Sequence, residues 1–483
     1  MPGEIHDFEN SLSDRSEIPT QHAIDRPDRQ LRNDGTALLH PLPALIPLAV
    51  RSASGCYVTL ACGHTVLDAG AVTIVDHGSP VVLEAVIKQM KEVSYTHTLF
   101  HRSQVADDLA HLLVGKAPFG LSKAYFVSSG SEAMDAAMKL AIQYHIGNGQ
   151  QQRQHFVSRK QSYHGNTIGA MSISSNNARK GPNGKSLQLS NVSFVEMPCA
   201  YRGKRDKESA ADFTTRLIED LNTEFQRVGP DKVAAFVAET IGGSTSGCVV
   251  SPPGYFEQVR ALCDRYGILL ILDEVMCGSG RTGTYFAFEA EGTVKPDLVT
   301  LGKGLAGGYA PIAAVLVQGS LYEKMEESVG GFTHGHTYQA HPVSCAAAMA
   351  VQQLVRQPNA LASCTAKGLR LEFSLRTTFQ NLKYVGDIRG RGLFWALEFV
   401  RDKVTKQPFA SKEGFGVRVA KAAYSRGLAL CSGKGTADGY VGDHVLLGPP
   451  LTISEGELEQ IVLVLRQAYQ DVVEEYEAAC DNE

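Results

Sequence analysis

From about residue 50 the chain alternates short apolar runs with amphipathic stretches. Cys56–Leu60 and Thr65–Asp68, joined by a Gly63-His64 turn, read as two short strands. Residues 80–114 carry apolar positions at helical spacing, among them Val82, Ala85, Val86 and Met90. A regular alternation follows. Strands are predicted at Ala124–Ser128, His155–Ser158, Val192–Glu196, Val233–Glu239, Ile268–Asp273, Leu298–Leu301 and Ile312–Val317. Helices are predicted at Glu132–Tyr144, Phe213–Phe225 and Tyr255–Tyr266. Strands apolar throughout and separated by helices imply a sheet buried on both faces. The fold class is therefore α/β, with a mostly parallel central sheet in a large domain over about 75–345.

A long helix begins near Pro342. After it come strands at Val385–Arg389 and Gly392–Phe399 and a helix from Glu455 to about Ala479. This set reads as a smaller α+β domain over 346–483, to which the segment 36–74 contributes. Residues 1–35 are polar and acidic and read as a flexible arm. No internal repeat or long low-complexity tract stands out.

Composition narrows the function classes. The chain has 483 residues, 43% hydrophobic and 20% charged, ample for a substantial core. Its 46 Lys+Arg against 51 Asp+Glu give a net charge of −5, which disfavours nucleic acid and anionic membranes as partners. Ten cysteines include no CxxC and no Cys/His group at zinc-ligand spacing, so reduced thiols and no metal are expected. The polar N-terminus has no apolar signal region, and Pro41–Val50 is too short to span a bilayer. A cytoplasmic enzyme is the expectation.

Ligands of open α/β sheets bind beyond the carboxyl ends of the strands. Three features stand there. Ser128-Ser129-Gly130-Ser131-Glu132-Ala133 opens a helix after the first core strand, offering backbone N–H groups to an anion, or an ordinary serine cap. Asp273 and Glu274 end the apolar strand Ile268–Leu272, as a partner for a protonated ligand nitrogen or as caps of backbone amides. Lys303, flanked by Gly302 and Gly304, follows Leu298–Leu301, where desolvation would make it a nucleophilic amine. An anion site, a buried carboxylate and a strand-end lysine together are what pyridoxal phosphate needs.

With Ser162-Tyr163-His164-Gly165-Asn166, Gly280-Arg281-Thr282-Gly283 and His334-Gly335-His336-Thr337-Tyr338 added, the chain resembles the class III (omega-type) aminotransferases of the fold-type I pyridoxal-phosphate enzymes over nearly all of residues 40–475. The resemblance implies that Lys303 carries the cofactor as a Schiff base and acts as the catalytic base. It implies that Asp273 pairs with the pyridine nitrogen, that Val275 and Tyr163 cover the two ring faces, and that Gly130 and Ser131 bind the phosphate. Thr337 would reach the phosphate of a neighbouring subunit, making the enzyme a homodimer with shared sites. Glu239 matches a site glutamate, and His164 and Arg281 are read as structural. The implied reaction moves an amino group from an amine or omega-amino donor to a keto acid or aldehyde, by a ping-pong route.

Three departures qualify the resemblance. Met276 stands where many members have Gln, and Thr240 where Pro is usual. Leu446 occupies the place of a substrate-gripping arginine, and Asp438–Val441 supplies none upstream. The amine donor then lacks an alpha-carboxylate, is large and apolar, or is held by another cation such as Lys434 or Arg51. The alternative is a decarboxylase, racemase, lyase or C–C bond-forming enzyme on the same fold. A nicotinamide dehydrogenase is excluded by the lack of GxGxxG after the first core strand. A catalytically dead homologue is disfavoured by the presence of Lys303, Asp273 and Tyr163.

Overall fold

Seven strands make the central sheet, and their chain order is β1 (Leu121–Val127), β2 (His155–Arg159), β3 (Val192–Val195), β4 (Val233–Glu239), β5 (Leu269–Asp273), β6 (Leu298–Leu301) and β7 (Ala313–Gln318). The computed structural model describes residues 38, 39, 47–115, 118–181 and 183–481, so the arm predicted over 1–35 lies outside the described residues. The spatial order is β1-β7-β6-β5-β4-β2-β3. Only β7 runs against its neighbours, and every other pairing in the sheet is parallel. All seven residues of β4 and all five of β5 are buried. This is why their sequences are apolar without alternation: helices cover both faces.

The register sets up the site. Glu239 at the end of β4 is the partner of Asp273 at the end of β5, and Asp273 is the partner of Thr300 in β6. Three polar groups thus stand side by side at one level of an otherwise apolar sheet. The helix Gly130–Gly147 starts directly above this level. Ser129 caps it by accepting from Glu132 N at 3.3 Å, while Glu132 Oε2 accepts from Ser128 N at 2.7 Å and Ser129 N at 3.1 Å. The reciprocal cap fixes where the helix begins. Ala133, Met134, Ala137, Leu140 and Ala141 bury its inner face in a cluster with Val237, Ile271 and Val315 of the sheet.

Two four-stranded sheets complete the fold. One runs Val50–Ser54, Tyr57–Leu60, Thr65–Asp68 and Leu428–Ala429, so the chain's early strands pair with a late one, Leu67 opposite Leu428. The other is antiparallel, in the order Val385–Arg391, Phe394–Phe399, Asp443–Leu447 and Cys431–Lys434. Among the described residues no helix is long and apolar enough to cross a membrane.

Candidate active site

A cavity of about 420 Å³ lies at the carboxyl ends of the central strands. Ser128–Ser131, Tyr163, His164, Glu239, Asp273, Val275 and Lys303 all reach it. Sequence segments more than a hundred residues apart converge there because the strand ends are in register.

One wall is the start of the helix Gly130–Gly147. The first N–H groups of a helix have no intrahelical acceptor. Among the described residues, no protein acceptor takes the Gly130 or Ser131 N–H. Ser131 Oγ accepts from Asn166 N at 2.9 Å, which ties the loop after Tyr163 to this wall. Side chains are excluded at the helix start. A Cβ on Gly130 would stand 2.9 Å from Val275 Cγ1, and one on Gly302 would stand 3.1 Å from the same atom. The valine is wedged between two glycines.

Asp273 is 6% exposed. Its Oδ2 is 2.8 Å from His164 Nδ1, and its Oδ1 accepts from Val275 N at 3.0 Å and Thr300 Oγ1 at 3.3 Å. A carboxylate so deep is costly unless it is hydrogen-bonded, and these three groups meet that need. Glu239 accepts from Tyr163 N at 3.1 Å and from Gly243 N at 2.6 Å, so it fixes the backbone of the tyrosine beside the cavity. Burial pushes its carboxyl up from the usual range, with His164 opposing.

Glu274 points elsewhere. Its oxygens accept from Thr240 Oγ1, Ala287 N and Phe288 N, each at 2.8 Å, and burial raises its pKa to about 7. Of the adjacent carboxylates, Asp273 therefore belongs to the cavity, and Glu274 is the amide cap. The Thr240 hydroxyl supplies one of those bonds at the position where proline would have none.

Lys303 follows β6 with φ +36°, a left-handed conformation that costs a side-chain-bearing residue about 1–3 kcal/mol. That turn takes its side chain off the strand path and into the cavity. Among the described residues its amine makes no hydrogen bond and no ion pair. Desolvation lowers its pKa, while Asp273 and Glu239 oppose the shift by attraction. The result is an amine biased toward its neutral, nucleophilic form.

These groups fit pyridoxal phosphate: unclaimed amides for the phosphate, a buried anion for the ring nitrogen, and an unpartnered amine for the aldehyde. The other expected residues fall into place less directly. Thr337 is outside this cavity and lines a separate surface cleft with Tyr95, Tyr338 and His341. Arg281 is buried and donates to the Pro449 carbonyl and, at 2.8 Å, to the Thr73 carbonyl. Burial lowers its pKa to about 10. Leu446 is fully buried in an apolar cluster with Ile241, Phe394 and Ala396, alongside Met276 and Cys431. Lys434 donates to the Ser411 carbonyl at 3.0 Å and Arg51 to the Ala61 carbonyl at 2.8 Å, and neither lines the cavity. Sequence reasoning missed Arg179, whose guanidinium lies 5.9 Å from the centre of the Tyr163 ring.

Residues 42–469 match the family Aminotransferase class-III. An aminotransferase of Gibberella zeae is 41% identical over 436 residues, covering 89% of this chain and 85% of that protein. The chloroplastic gamma aminobutyrate transaminase 3 of Solanum lycopersicum is 33% identical, covering 88% and 81%. The crystal structure of an amine transaminase from an uncultivated Pseudomonas species, in a PLP-bound form, superposes with a TM-score of 0.83 at 30% identity, over 95% of this chain and 99% of that one. The chain belongs to the class III aminotransferases and is a pyridoxal-phosphate-dependent aminotransferase of fold type I.

Proposed function

We propose that Lys303 and Asp273 are the catalytic pair of an enzyme that moves an amino group from an amine or omega-amino donor to a keto acid or aldehyde by a ping-pong route. The observation that carries this is an unpartnered, desolvated lysine in the same cavity as a hydrogen-bonded, buried aspartate. When bound, the cofactor supplies an electron sink that acidifies the substrate carbon bearing nitrogen.

The chain's own residues do the rest. Gly130 and Ser131 N–H groups hold the phosphate at the helix start. Asp273, oriented by His164, would keep the ring nitrogen protonated. Val275 and Tyr163 would flank the ring, and Glu239 holds the Tyr163 backbone and the Gly243 turn. With the cofactor bound, Lys303 Nζ would take the proton from the substrate carbon and, as an ammonium group, return it to the cofactor carbon that takes over the amino group. Burial, which lowers its pKa from the usual amine value, favours the neutral form that such a base needs.

The enzyme acts as a homodimer, with Thr337 reaching a neighbour's phosphate site. The cleft containing Thr337 supports this. It is bordered by Met90, Tyr95 and Tyr338, exposed at 58%, 41% and 59%, a patch of the kind that a partner covers. A large domain over 75–345 and a smaller one over 346–483, which the segment 36–74 joins as a contributor, is the proposed organisation. The pairing of Thr65–Asp68 with Leu428–Ala429 supports that joining. A cytoplasmic location is part of the same proposal.

The test is a spectral titration of the cofactor-loaded protein with a panel of amines. Amine should convert the visible chromophore to the amine form of the cofactor, and a keto acid should restore it. A chromophore that shifts on binding but never converts refutes transamination and favours a decarboxylase or lyase.

A further inference from the structure

Resting on the aminotransferase reading, we propose that Arg179 is the cation that receives the carboxylate of the substrates, so that the enzyme selects amino acids and keto acids over uncharged amines. A keto-acid acceptor brings a carboxylate into a cavity where Lys303 is the only lysine or arginine among the described lining residues. That lysine is committed to the chemistry. Ile241 and Met276, which also line the cavity, are apolar and offer the carboxylate no charge.

The arginines nearby differ in what holds them. Arg159 donates to the Glu239 carbonyl, Arg281 to two carbonyls, and Arg389 to Asp387 Oδ2 at 2.8 Å and Glu398 Oε2 at 2.7 Å. Arg179 is not held. Among the described residues its guanidinium makes no hydrogen bond and no ion pair. It stays exposed, over the ring of Tyr163, which itself lines the cavity.

Its backbone, in contrast, is fixed. Arg179 sits in the short helix Asn177–Lys180, where its N–H donates to Asn176 Oδ1 at 3.0 Å. Asn176 also donates from Nδ2 to the Lys434 carbonyl at 2.9 Å and from its backbone to the Ser162 carbonyl at 3.2 Å. Ala178 N donates to the Gly439 carbonyl at 2.9 Å. The segment is thereby pinned to the residue before Tyr163 and to the 434–439 loop. A fixed backbone, a free fork and an aromatic platform are what bidentate capture of a carboxylate requires. The charge is felt at the chemistry too, since Arg179 adds to the lowering of the Lys303 pKa.

The experiment uses the cofactor-loaded enzyme and Arg179→Gln. Two probes are unreactive, butyrate and its neutral counterpart butyramide, measured by calorimetry. Two are donors, 4-aminobutyrate and 4-aminobutanamide, measured by steady-state kinetics. Wild type is expected to bind butyrate in preference to butyramide, and Arg179→Gln to lose that preference by roughly 10- to 100-fold, the loss of a charge-assisted hydrogen-bond pair. The ratio of kcat/KM for 4-aminobutyrate over 4-aminobutanamide should fall by the same factor, mostly through KM. Arg179→Lys, a point charge without the fork, should recover part of it. An unchanged butyrate preference and donor ratio overturns the proposal. So does loss of bound cofactor in Arg179→Gln, read from its absorbance, because the arginine would then serve the cofactor. A wild-type enzyme that transfers no amino group from any donor refutes the aminotransferase reading instead, and the calorimetric arm still decides whether Arg179 holds a carboxylate.

Discussion

Replacing Gly130 with alanine sets two effects against each other. Alanine is the better helix former by about 1 kcal/mol, and Gly130 is the first residue of its helix with no left-handed φ to protect. On propensity alone Gly130→Ala would stabilise. The new methyl, however, would stand 2.9 and 3.1 Å from the two γ-carbons of Val275. Carbon atoms pack at about 3.5–4.0 Å, so the valine must give way. It has little room to do so, because it also packs against Gly302, where a Cβ would lie 3.1 Å from the same Cγ1. A β-branched side chain is also stiff about χ1. Overpacking of this kind costs about 1–3 kcal/mol, which outweighs the propensity gain. The expected outcome is a less stable apo-protein and cofactor affinity reduced roughly 10-fold, because 1.4 kcal/mol at the proposed phosphate and ring sites is a factor of 10. Denaturant titration reads the first and absorbance titration with cofactor the second. Adding Val275→Ala should relieve the clash, with a coupling of about 1 kcal/mol or more between the two changes. A single Gly130→Ala variant that gained stability, or a strictly additive double variant, would refute the wedge.

Further perturbations probe the other walls. Lys303→Ala should lower transfer from any amine by at least about 100-fold, and it should abolish the attachment of cofactor mass to the chain after mild reduction, measured by mass spectrometry. Arg281→Ala orphans the buried Thr73 and Pro449 carbonyls, each costing about 1–3 kcal/mol, so unfolding should shift to markedly lower denaturant. Glu274, raised to about 7 from 4.5, takes up a proton on folding between those values; its contribution is complete below about pH 4.5 and is lost as pH rises through 7, about 3 kcal/mol in all. Stability measured at steps from pH 5 to 8 should therefore fall less steeply in Glu274→Gln than in wild type, and parallel curves would sink that assignment. His164→Phe leaves Asp273 Oδ2 without its 2.8 Å partner, and cofactor affinity should drop by about 10-fold or more.

The parts of this site that could be read in the sequence are the parts made by local rules. A run such as Ile268–Leu272 has no polar alternation because both faces of the sheet are covered, and it therefore marks its own carboxyl end, where Asp273 stands. Lys303 between two glycines is visible for the same reason. The two adjacent carboxylates could not be separated by that logic. Both follow the same strand, and only the long-range bonds of Glu274 to Ala287 and Phe288 show that it caps backbone while Asp273 faces the cavity. Arg179 was invisible because its helix is four residues long, and its position depends on Asn176 reaching Lys434 across more than 250 residues.

The wedge of Val275 shows why the separate motifs occur together. Gly130 belongs to the helix start, Val275 to the turn after β5, and Gly302 to the turn before the lysine. One isopropyl group fills the gap that both glycines leave, so each motif restricts what the other two can be. The same turn after β5 carries the Val275 N–H that holds Asp273, which the register has placed between Glu239 and Thr300. A larger residue at either glycine would thus displace the valine, and with it the amide that orients the Asp273 carboxylate. The chemistry of Asp273 and the packing of Gly130 and Gly302 are one constraint, transmitted through a single side chain.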